Sequence, residues 1–243
     1  FTEDNMSMAD MISENFLNFP YRGTCLSLEE FDLQYGFRFE EQPKDFDEEY
    51  LVSFCEYIYN LIIYLNNGFH FMKFNISGYI AQIRKVIENI GYISAYDNGF
   101  TIFVPRDSAA ISVAESELIP DDVSYKVIAY NHSSKKGDLE AKKVILIKLA
   151  ELLEPKRKDL DNINKGFSSD LFMLINSCNI RHNNIDSALM GKYHKHIAEM
   201  SDEKLEHTYD EIYQMCLLAF MQLEHSERSE WVKDLKNKIV SVK

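Results

Sequence analysis

Apolar residues along this chain recur mostly at spacings of three and four, the pattern of helices with one buried face. The clearest set is Ile80, Ile83, Ile87 and Ile90, with Ser77 placed to cap the first turn. Gly91 follows where a left-handed C-cap is expected. Before it, residues 50–65 are apolar nearly all round, which predicts a helix over 48–66 at the centre of a core, ended by Asn66-Asn67-Gly68. Ser53, Glu56 and Asn60 interrupt that run, and it is shorter than the roughly 20 residues that cross a bilayer. The period then changes. Residues 92–96 and 100–104 are β-prone and flank Asp97-Asn98-Gly99, a hairpin signal, and Pro105 ends the second strand.

From residue 108 the helical period returns and predicts helices over 108–117, 121–131, 138–163, 168–179, 202–224 and 227–240. Pro120 and Asp121 open the second, and Asp138 suits the N-cap of the third. Pro155 is expected to kink or interrupt that third helix. Asp202 and Glu203 suit the positive end of the helix that follows Ser201. The last helix is expected to bury Trp231, Leu235 and Ile239. Residues 1–48 are acidic, aromatic and weakly periodic, with a short helix expected near Met8 to Phe16. The reading is a mainly α chain. A mixed region, 1–106, carries the buried helix and the hairpin, and 107–243 form a C-terminal helical bundle of five or six helices.

Composition supports this reading: nine Gly and five Pro in 243 residues favour long helices over many short strands. The net charge of −13 argues against a broad electrostatic grip on nucleic acid but leaves room for a local basic site. Acidic residues crowd the first 50 positions, a surface suited to a protein partner or to mimicry of nucleic-acid charge. Basic residues cluster around Lys135, Lys136, Lys142, Lys143, Lys148, Lys156, Arg157 and Lys158, which reads as a solvated face. Cys25, Cys55, Cys178 and Cys216 form no CxxC pair and are expected as reduced thiols, mostly in the core. With no basic-then-apolar leader, the expected location is the cytoplasm, off the membrane.

The densest chemistry lies at Asn179-Ile180-Arg181-His182-Asn183-Asn184, between an apolar helix bearing Leu171, Phe172, Leu174, Ile175 and Cys178 and the helix after Ser201. Arg181 offers a planar fork of donors for phosphate, and His182 can exchange a proton near neutral pH. Asn183 and Asn184 could orient them or contact a base or sugar. Alternatively, Arg181 caps helix carbonyls and the asparagines turn the chain. The His132 to Asp138 loop places Lys135 and Lys136 at a helix start, an anion-binding position, or a plain solvated connection. His194, His196 and His207 lack the Cys or acidic partners of a zinc site, so neither metal nor cofactor is expected.

Residues 122–240 resemble the HEPN family, helical bundles found in bacterial toxins and abortive-infection proteins. The run from Ile93 through Glu154 to Asn184 also resembles uncharacterised bacterial proteins associated with abortive infection, at Lys136-Gly137-Asp138-Leu139-Glu140-Ala141-Lys142, Leu153-Glu154-Pro155-Lys156-Arg157-Lys158 and Ile180-Arg181-His182-Asn183-Asn184. The family signature is an Arg, a polar residue, then a His four to six positions on. Arg181 and His182 match its start, but the next histidines are His194 and His196. Either His194 returns to the site from the intervening excursion, or His182 itself moves the proton. The resemblance implies a defence or toxin protein that cleaves RNA without a metal, pairing as a homodimer around a composite site. The other reading is a non-catalytic interaction or dimerisation module.

Overall fold

A computed structural model describes residues 13–19, 22, 24–35, 47–69, 76–97 and 99–241. The chain is mainly helical, and it divides into two compact units, Phe1–Pro105 and Arg106–Lys243. The helix expected near Met8 to Phe16 lies largely outside the described residues; its end is helical at 13–15 and passes into a 3-10 turn, Phe16–Asn18.

The first unit contains α1 (Leu28–Tyr35), α2 (Glu48–Phe69), α3 (Ile76–Asn89) and a hairpin of β1 (Tyr92–Asp97) and β2 (Phe100–Pro105). Its core gathers Phe16, Phe19 and Phe31 against Tyr57, Ile58 and Leu61 of α2, with Ile83 and Ile87 of α3 and Phe103 of β2. The polar breaks in α2 have a structural purpose. Asn60 donates to the Thr101 carbonyl at 2.7 Å and accepts from its N–H at 3.0 Å, while Glu56 accepts the Phe103 N–H at 2.6 Å. These side chains satisfy the outer edge of β2, which a two-stranded sheet leaves without a backbone partner. The strands pair with Asp97 opposite Phe100, so the hairpin connection is one residue shorter than the sequence pattern suggested. Gly91, at φ 86°, closes α3 in the left-handed conformation as expected.

The second unit is a helical bundle of α4 (Ser108–Ala114), α5 (Asp121–Ala129), α6 (Leu139–Leu153), α7 (Arg157–Ser177), α8 (Lys195–Ala198) and α9 (Asp202–Ser241). α9 packs on α4, α6 and α7, and α5 bridges α4 and α6. Leu146, Leu149, Ala150 and Leu153 of α6 meet Leu171, Phe172 and Ile175 of α7 and Ile212, Cys216 and Phe220 of α9, all fully buried. Asp107 caps α4 by accepting from Ala109 and Ala110, and Asp138 caps α6 by accepting from Ala141.

Three expectations are corrected. The helix read over 138–163 ends at Leu153, where Glu154–Lys156 forms a 3-10 turn around Pro155. α7 then runs from Arg157 with a kink at Asn164, whose side chain accepts from the Phe167 N–H at 3.1 Å and restarts the helix. The separate helices over 202–224 and 227–240 are one helix of 40 residues, since neither Gly nor Pro stands between Leu223 and Ser241. Consequently Trp231, Leu235 and Ile239 are not buried; they are 64%, 39% and 61% exposed, because α9 outruns the bundle after Leu223. Among the described residues no helix is long and apolar enough to cross a membrane.

Candidate functional site

α7 ends at Ser177, and Asn179 turns the chain with φ 59°, a left-handed conformation that asparagine tolerates better than most residues. The loop that follows is stapled by one buried side chain. Asn184 accepts the Asn179 N–H at 2.9 Å through its side-chain oxygen and donates to the Lys192 carbonyl at 2.7 Å. Its own carbonyl accepts the His194 N–H at 2.8 Å, so the two ends of the 184–194 excursion meet. Ile180 inserts into the core, and the Tyr209 hydroxyl of α9 reaches the Asn179 carbonyl at 3.4 Å. The loop's backbone is thus fixed, and Arg181, His182 and Asn183 project from a positioned frame.

Arg181 forms an ion pair with Glu154 of the 3-10 turn, with both side chains part-exposed. His182 lies 3.2 Å from the Lys192 ammonium through Nδ1. An ammonium only donates, so Nδ1 must be the accepting nitrogen and the neutral ring carries its proton on Nε2. Desolvation, Lys192 and Arg181, in that order, hold the His182 pKa below its ordinary 6.5, so the ring is neutral at pH 7. Arg181 and Lys192 thus place two positive charges beside a neutral imidazole on an acidic chain.

Of the residues singled out in the sequence, Arg181 and His182 are neighbours here, with exposed Asn183 beside them. Asn184 is 1% exposed, and its amide is committed to the loop's own backbone. His194 sits exposed at the start of α8; among the described residues, no hydrogen bond joins its imidazole to Arg181 or His182. Lys135 and Lys136 stand before α6, where the Gly137 N–H already donates to Glu206 at 2.8 Å. That amide therefore holds a carboxylate of the chain itself. Among the described residues, no three His, Cys, Asp or Glu side chains group to hold a metal, and all four cysteines are free thiols.

Two features escaped the sequence reading. Lys192 gave no signal, because its approach to His182 depends on the loop closing at Asn184. Lys142, read as part of a solvated face, is only 7% exposed. It lies on the inward face of α6 with Ile145, Leu146 and Leu149, and its ammonium is 2.7 Å from both Glu206 and Asp210 of α9. The Tyr130 hydroxyl donates to Asp210 at 3.0 Å, and its ring stacks on Tyr213 at 3.9 Å. Burial, then Asp210, raises the Tyr130 pKa, while the hydrogen bonds from Lys142 and Gly137 lower that of Glu206. The spacing of Lys142 to Ile145 and Leu146 carried the signal for its burial. A cavity of about 250 Å³ also opens near the start of α7, lined by Lys156, Asp159, Asn162 and Ser226 among others.

Comparison with family models, curated proteins and solved structures finds no match to this chain.

Proposed function

We propose that the 179–194 loop is the phosphate-handling site of a HEPN-like endoribonuclease of the phage-defence or toxin type. The observation that carries this reading is the neutral His182 imidazole beside the cations Arg181 and Lys192 on a fixed loop of an otherwise acidic protein. Arg181 and Lys192 hold the scissile phosphate, which draws the ammonium away from His182 Nδ1. The freed Nδ1, unprotonated at neutral pH, takes the proton of the adjacent 2′-hydroxyl. The 2′-oxygen then bonds to phosphorus, the bond from phosphorus to the 5′-oxygen breaks, and Lys192 protonates the leaving oxygen. The nucleophile belongs to the substrate, so the scheme needs no metal. The products are a 2′,3′-cyclic phosphate and a 5′-hydroxyl.

The test is to incubate purified protein with tRNA and with total RNA beside Arg181→Ala and Lys192→Met variants. Loss of a developing oxyanion's donor costs about 10²-fold or more in rate. Cleavage that both variants retain in full, or no cleavage by the unaltered protein, ends the catalytic reading. One observation favours the alternative of a non-catalytic dimerisation or interaction module: α9 carries exposed apolar residues beyond the bundle.

A further inference from the structure

α9 carries a second pattern besides the one that fills the bundle. Leu218, Met221, His225, Arg228, Val232, Leu235 and Ile239 recur at alternating spacings of three and four, the seam of a two-stranded coiled coil. Every apolar member of the seam is exposed, although Cys216, Leu217, Ala219 and Phe220 on neighbouring positions are fully buried in the bundle. Trp231, exposed as well, flanks the seam at its midpoint. One helix therefore presents two faces, one spent on its own unit and one open along its outer half.

Charge identifies what covers the open face. Between Glu224 and Glu230 the sequence holds three glutamates and one arginine; between Lys233 and Ile239 it holds three lysines and one aspartate. Beside the seam, Glu224 lies on one side of Trp231 and Lys238 on the other, so an antiparallel second copy brings each against its opposite charge. A register centred on residue 230 sets Met221 opposite Ile239, His225 opposite Leu235 and Arg228 opposite Val232 of the second copy. The same register places Glu224 beside Lys238 at the flank, twice by symmetry. Within the chain Glu224, partly buried, pairs with Arg228, and Lys238 pairs with Asp234 in an exposed pair, both at i,i+4. We infer that the outer half of α9 is an antiparallel homodimer interface, with the apolar seam supplying adhesion and the acidic-to-basic polarity fixing direction. This stands on α9 alone and is independent of the ribonuclease reading.

Sedimentation of the full chain over a concentration series tests it. The expected result is a species of about twice the 28.4 kDa chain mass, shifting to monomer in Leu235→Glu/Ile239→Glu. Both positions are exposed, so the double variant keeps its bundle folded, read by near-UV circular dichroism. Direction is tested by charge reversal: Glu224→Lys and Lys238→Glu each weaken the dimer, and the two together restore it. A monomer at every concentration, a dimer indifferent to the seam variant, or a double reversal weaker than either single one overturns the inference.

Discussion

Lys142 and Arg181 are both cations that meet carboxylates within the same bundle, yet their surroundings are opposite. Lys142 is almost wholly buried and meets two carboxylates, with the Tyr130 ring 5.3 Å from its ammonium. Arg181 is part-exposed and meets a single carboxylate, while its neighbour His182 faces another cation, Lys192. A buried charge must be matched at once, since an uncompensated one costs several kcal/mol. A loop at the surface can hold surplus positive charge because water screens it. The first arrangement is a finished structural clamp, and the second sets two cations, Arg181 and Lys192, against the single carboxylate of Glu154.

Substitutions at the two places should therefore separate stability from function. Lys142→Met leaves Glu206 and Asp210 facing a methyl group and is expected to cost about 3 kcal/mol, read by urea unfolding. A loss below about 1 kcal/mol would mean that the clamp contributes little. Asn184→Ala orphans the Asn179 N–H and the Lys192 carbonyl, an expected loss of about 2 kcal/mol, with faster hydrogen exchange confined to the loop. Unchanged exchange there would show that the staple is dispensable. Arg181→Ala should change stability by only about 0.5 kcal/mol or less while removing RNA cleavage. A large destabilisation would place Arg181 with Lys142 as a structural cation.

The titrations sharpen the contrast. Glu206 has its pKa held below 4.5 by Lys142 and the Gly137 amide, so its contribution to stability is complete above pH 4.5 and is lost as pH falls through the folded value. In Lys142→Met that acid sensitivity should shrink. For His182 the folded pKa is also depressed, so the unfolded chain binds the proton more readily. Its contribution is complete above pH 6.5 and declines as pH falls through the folded value. Lys192→Met should move the His182 titration, followed by NMR, upward toward 6.5; an unmoved or lowered value would remove Lys192 from the site.

The fold was legible where apolar spacing and punctuation agreed. Ile83 and Ile87 announce α3 and Gly91 ends it, while the β-prone runs before Pro105 give the hairpin. It was less legible where one residue carried two messages. Pro155 marks a break, but the spacing does not say that a new helix starts two residues later and kinks at Asn164. Trp231, Leu235 and Ile239 announce an apolar face, while periodicity is silent on whether the chain's own bundle covers it. At the candidate site, Arg181 and His182 are adjacent in sequence and were readable. Lys192 and Glu154 reach them only through loop closure and helix packing, distances that no local pattern encodes.

The contact between Tyr209 and Asn179 ties the loop to one particular turn of α9, about 21 residues before the centre of the inferred self-pairing. A helix rises about 1.5 Å per residue, so two copies joined along the outer half of α9 would hold their loops on the order of 60 Å apart. At that span neither copy can lend a side chain to the other's reaction, and the composite centre that the family resemblance implies would need a different interface. The long helix would then act as a ruler, holding the two loops at a fixed separation.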